Sequence, residues 1–170
     1  MKRLVFFLLL EAVAFLPLIQ CDTPLIEKTC QRTPFYDLCI SSLKSDPRSS
    51  TADVRTLALI MVDIIKSKAT QMLKQVEELQ KQHPELQEPL SACHSRYNAV
   101  LVGDVPQAVE ALEKGDYKFA EDSATDAAIE ADACENGFSA GKSPISPMNK
   151  LFHDISVITA SIVNILLGGG

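Results

Sequence analysis

Five cysteines and three histidines are the residues with which this 170-residue chain could bind a metal, activate a thiol or form disulfides. The histidines are scattered. His83 precedes a proline, His94 follows Cys93, and His153 lies near the C-terminus, so no two stand at ligand spacing. There is no His-Glu-x-x-His, no phosphate-binding glycine loop and no Gly-x-Ser-x-Gly. Cys93-His94 would suit a metal or an activated thiol, but in a secreted chain with pairable cysteines a disulfide takes precedence. The carboxylate pairs Glu77-Glu78 and Glu121-Asp122 fall on predicted solvent faces. Catalytic carboxylates need a cleft that raises one of the two pKa values. The residues thus point away from an enzyme, a metal site and a cofactor, and towards a binding module.

The cysteines carry more information as positions. Cys30 and Cys39 close a short loop around Pro34. Cys93 lies twenty-two residues before Gly115, and Cys134 eighteen after Asp116. At roughly 1.5 Å per helical residue both are about 30 Å from the Gly115-Asp116 break. In an antiparallel helical hairpin, equal distance from the tip sets two residues side by side, as a disulfide requires. Four cysteines allow three pairings; this geometry selects Cys30–Cys39 and Cys93–Cys134.

The N-terminus agrees with an oxidising compartment. Lys2 and Arg3 precede apolar runs at 4–10 and 12–19, and polar Asp22-Thr23 follows. Residues 1–21 read as a secretory signal peptide. Glu11 and Pro17 divide a stretch already too short for a membrane anchor. Cleavage after Cys21 removes the odd cysteine. Loss of Lys2, Arg3 and Glu11 makes the chain one unit more acidic than its net charge of −6. An acidic chain without a basic stripe argues against nucleic acid. No Asn-x-Ser/Thr triplet is present, and no membrane segment is expected after the signal.

Residues 22–170 then form one domain. Its first part, 22–46, is a helical hairpin in which Thr33 caps a helix starting at Pro34. A polar linker leads to four long helices within 51–167. The first runs about 51–82, with a seam of Val54, Leu57, Met61, Ile64, Lys68, Met72, Val76 and Leu79. His83-Pro84 stops it. The second reaches Lys114, burying Leu90, Cys93, Tyr97, Val100, Leu101, Val105, Ala108, Val109 and Leu112. Gly103 and Pro106 predict an irregular turn within it. Gly115 is a helix stop and Asp116 a cap for the third helix, about 117–140, which is rich in alanine. The fourth starts near Ser146-Pro147, with a seam of Met148, Leu151, Phe152, Ile155, Ile158, Ile162, Ile165 and Leu166. His153, Asp154, Thr159, Ser161 and Asn164 fall mostly elsewhere. The interspersed polar residues favour an amphipathic helix over a lipid-anchoring tail. The fold class is all-α, an up-down-up-down four-helix bundle with an N-terminal helical hairpin and two disulfides.

The segment from Lys114 to Asp122 (KGDYKFAED), the stretch from Thr56 to Asp63 (TLALIMVD) and the four cysteines resemble the plant invertase inhibitor and pectin methylesterase inhibitor family. The resemblance spans essentially the whole domain, and the KFAED context is similar to the invertase-inhibitor branch. It implies a four-helix bundle with the same two disulfides, located in the cell wall or the vacuole. It also implies an acid invertase as protein partner, met by a Pro-Lys-Phe motif at the hairpin tip. Lys118 and Phe119 match that motif, and Tyr117 stands where the family has proline. Those three residues are the candidate partner-binding site. The alternative implied is inhibition of pectin methylesterase through a helix face. The bland alternative for the tip is that Phe119 merely packs inside the bundle end and Lys118 is a solvated tip residue. A third reading of the function is a plain extracellular helical domain with a developmental or storage role and no enzyme target.

Overall fold

The computed structural model describes residues 23–139 and 143–168, and every regular element among them is helical. The expected signal peptide lies outside the described residues. Helices α1 (Thr23–Cys30) and α2 (Tyr36–Lys44) form the hairpin. The bundle contains α3 (Val54–Gln82), α4 (Gln87–Ala99), α5 (Val105–Lys114), α6 (Tyr117–Asn136) and α7 (Ser146–Leu167). A π turn at Val100–Asp104 joins α4 to α5, so the two act as one long helix. That helix and α7 each pack on both α3 and α6, which closes the four-helix ring, and the hairpin covers α3 and α7.

The ends of these helices follow local chemistry. Asp53 accepts a hydrogen bond from the Thr56 amide at 2.7 Å, so α3 starts at Val54. The expected start at Thr51 belongs to a short 3-10 turn at Pro47–Thr51, capped by Asp46. Pro106 has no N–H and would crowd the carbonyl four residues back. The widened π turn ending at Asp104 is where the irregularity expected from Gly103 and Pro106 occurs. Helix α6 ends at Asn136, four residues before the expected limit, because Gly137 tightens the chain with a 3.1 Å bond to the Cys134 carbonyl. Phe138 then turns into the core.

The hairpin corrects one expectation. Thr33 does not cap α2; its hydroxyl donates to the Cys30 carbonyl at 2.9 Å and closes α1 instead. Pro34 stays outside the helix. Phe35 takes the reversal at φ 58°, a left-handed conformation rare for a bulky residue. The Lys150 ammonium lies 5.1 Å from its ring centre, a cation–π contact that helps hold the turn.

The core is one cluster running through all seven helices. Along α3 the buried seam moves by one residue from the expected one: Ile65 and Ala69 are enclosed, while Ile64 and Lys68 are only half-buried. The expected and buried seams coincide again at Met72, Val76 and Leu79. In the second long helix Ala111 is enclosed, and Leu101 and Val109 are half-buried. In α7 Leu151 is exposed, whereas Asp154 and Thr159 are inside. Their polar atoms are satisfied locally: Asp154 pairs with Lys150, and the Thr159 hydroxyl donates to the Ile155 carbonyl at 2.8 Å. Helix α7 is apolar enough to cross a membrane by length and composition, but half of that stretch is enclosed in the bundle.

Both disulfides are present. Cys30–Cys39 has a Cα separation of 5.6 Å and Cys93–Cys134 of 4.6 Å. The second ties α4 to α6 at the end of the bundle opposite Gly115. Around it lies a buried polar network. The Tyr97 hydroxyl donates to Asn149 Oδ1, and Asn149 Nδ2 donates to Glu135 Oε2 at 2.6 Å. The Tyr97 ring meets Phe152 edge-on, with centroids 5.0 Å apart. Burial, followed by the charges of Glu135 and Asp132, holds the Tyr97 phenol well above its usual range.

Candidate functional site at the hairpin tip

Gly115 ends α5 at φ +80°, a conformation that glycine adopts without steric cost. The Ala111 carbonyl accepts from both the Gly115 and Asp116 amides, the latter at 2.8 Å. Both bonds converge on one carbonyl and close the helix at a left-handed glycine. The chain reverses over two residues, and α6 begins at Tyr117. Asp116 occupies the capping position, but its side chain makes no cap hydrogen bond, which corrects the role expected for it. The turn leaves its backbone at ψ 62° rather than extended, so the carboxylate is not aimed at the first amides.

Tyr117, Lys118 and Phe119 are therefore the first turn of a helix rather than a free loop. Helical spacing separates them. Tyr117, Ala120 and Ala124 face inward, with Tyr117 half-buried against the core and both alanines enclosed. Lys118 and Phe119 face out. Phe119 is 70% exposed, so it does not pack inside the bundle end. Its carbonyl accepts the Ser123 hydroxyl at 2.8 Å, which fixes the backbone behind the ring.

Lys118 is exposed but not uncommitted. Its ammonium bonds to Glu121 Oε2 at 2.5 Å and to Asp122 Oδ1 at 2.6 Å. Hydrogen bonds to Asp122 and then Glu121 move its pKa far above the usual lysine range, so it stays charged at any working pH. The lysine-to-acid spacings of three and four residues were legible in the sequence as neighbours on one helix face, and the clamp follows from them. A partner carboxylate must therefore displace two intramolecular ones, or join them.

Beside Phe119 the α5 surface opens into a shallow groove of about 250 Å³, lined by Gln107, Glu110, Ala111, Lys114 and Asp116. Lys114 pairs with Glu110 along its rim. Sequence reasoning passed over this face because its residues are ordinary solvent-facing types. Elsewhere, Cys93 is committed to the disulfide, and His94 lies 3.6 Å from Glu77 on the exposed surface. Among the described residues no group of histidines, cysteines and acids is arranged to hold a metal ion.

The family model of the plant invertase/pectin methylesterase inhibitors matches residues 24–162. The chain is 46% identical over 138 residues to the cell wall/vacuolar inhibitor of fructosidase 1 of Arabidopsis thaliana, covering 81% of this chain and 67% of that protein. It is 32% identical over 124 residues to the pectinesterase inhibitor of Actinidia deliciosa, covering 72% and 66%. In fold it is similar to the crystal structure of a mutant pectin methylesterase inhibitor from Arabidopsis, with a TM-score of 0.71 at 22% identity over 82% of this chain and 95% of that one.

Proposed function

Because this chain belongs to the plant invertase/pectin methylesterase inhibitor family, a family of enzyme inhibitors rather than enzymes, we propose that it is a secreted inhibitor of a plant acid invertase. The observation that carries this reading is Phe119. It is a large aromatic residue left 70% exposed beside a lysine, on the outer side of a helix whose inner face beyond Tyr117 is packed by small residues. Exposed aromatics next to a positive charge are the kind of residue that anchors protein interfaces.

The proposed mechanism is occlusion. An invertase is a glycoside hydrolase, and such enzymes keep a pair of carboxylates in the cleft. The Lys118 ammonium exchanges Glu121 and Asp122 for those carboxylates, and Phe119 fills the space where sugar packs. The helix behind them is already formed, so little conformational freedom is lost on docking. Residues 1–21 act as signal peptide, leaving 22–170 as the inhibitor. The destination is the cell wall or the vacuole, in keeping with the name of the Arabidopsis thaliana relative. A second reading is inhibition of pectin methylesterase through a helix face. It is favoured by the likeness to the Actinidia deliciosa inhibitor and by the exposed Ile129 on the outer side of α6.

The test is inhibition of purified acid invertase and of pectin methylesterase by the parent protein, Lys118→Ala and Phe119→Ala. Each substitution weakens invertase inhibition by about tenfold or more, with helical content and melting temperature unchanged. If both variants inhibit invertase as well as the parent, the tip is not the site. If only pectin methylesterase is inhibited, the second reading replaces the first.

A further inference from the structure

Asp104 ends the π turn between α4 and α5 and is half-buried. Its Oδ2 is enclosed and has no hydrogen-bond partner. Two carboxylates of α6, exposed Asp126 and half-buried Glu130, lie within Coulombic reach of it. Glu130 is already engaged by Arg96 of α4 at 3.2 Å. From α3 the side chains bordering the same spot are Val62 and Ile65, and from α5 Val105 and Ala108, none of them ionisable. The Ser123 hydroxyl also borders it, but donates to the Phe119 carbonyl. Asp104, these apolar side chains, Ser123 and the α6 alanines Ala124 and Ala127 line a void of about 10 Å³, at the lower limit for one water molecule.

A carboxylate here faces apolar side chains and like charges, while a neutral carboxylic acid loses far less hydration and feels no repulsion. Burial, then the charges of Asp126 and Glu130, push Asp104 up to about 6. The folded chain thus holds this proton more tightly than the unfolded chain, whose aspartate titrates near 3.8. The stability it contributes is fully present below about pH 4 and is lost as pH rises through the folded-state value near 6.

We propose that Asp104 is a pH-sensitive latch at the π joint. Protonated, it lets the α4–α5 helix close on α6. Ionised, it draws water towards the void and loosens the joint that leads to the tip. The latch acts within the bundle, so it holds whichever enzyme the tip meets.

Asp104→Asn keeps the shape and removes the titration. Parent and variant should melt alike at pH 3.5. At pH 7.5 the parent should melt lower by about 2–5 °C, with several-fold faster amide exchange over residues 100–108 after correction for intrinsic rates. Carboxyl NMR of the parent, which needs no variant to fold, should show Asp104 titrating near pH 6. A midpoint near 4, or a parent-to-variant difference that is the same at both pH values, would overturn the latch.

Discussion

At one end of the α4–α5 and α6 pair, Cys93 is joined to Cys134, and Tyr97, Asn149 and Glu135 satisfy one another in the interior. At the other end, Gly115 turns the chain in two residues and Phe119 stands in solvent with Lys118 beside it. The polar groups of the first region bond across three helices, α4, α6 and α7. Those of the second bond within one helix, through Lys118, Glu121 and Asp122. Cross-helix bonds fix the helices against each other. Bonds within a helix can be exchanged for a partner's groups without disturbing the fold. The contrast is between an end that holds the bundle together and an end that is free to be used.

The largest expected effect tests the holding end. Replacing Cys93 and Cys134 together by alanine should lower unfolding stability by about 2–5 kcal/mol, read by urea denaturation, while inhibition per folded molecule persists. Loss of inhibition by the folded variant would mean that the two ends are not independent. Peptide mapping without reduction should recover the two disulfides; a Cys39–Cys93 linkage would contradict the bundle register.

A smaller effect separates the buried network from the disulfide it surrounds. Tyr97→Phe keeps the ring contact with Phe152 and strands Asn149 Oδ1 in the interior. An unsatisfied buried acceptor costs about 1–3 kcal/mol. Chemical denaturation measures this, and a variant as stable as the parent would show that the hydroxyl contributes nothing to the holding end.

The smallest effect belongs to the free end. Tyr117 is the first residue of α6, where proline has a suitable φ and no amide bond to lose. Tyr117→Pro should change stability by no more than about 1 kcal/mol, through the lost packing of a half-buried ring, and leave invertase inhibition similar or improved. A large drop in melting temperature would make Tyr117 part of the bundle's hold rather than of its display surface.

Much of this design was legible along the chain. The apolar spacing marked the four long helices, Gly103 and Pro106 marked the joint, and Gly115 marked the reversal. Equal distances from that reversal matched Cys93 with Cys134. The outward position of Lys118 and Phe119 also follows from spacing, since Tyr117, Ala120 and Ala124 take the inner face. All of these are properties of one segment at a time, and helical geometry imposes the period locally. Which polar side chains enter the interior was decided elsewhere. Asn149 is buried because Tyr97 and Glu135, on two other helices, offer it partners. Asp116 fails to cap because the two-residue reversal turns its backbone away. One oxygen of half-buried Asp104 is enclosed where α6 packs on the π turn, with two like charges in reach and no donor bonded to it. Burial of a polar group depends on neighbours distant in sequence, and only the assembled bundle brings them within hydrogen-bonding or Coulombic reach.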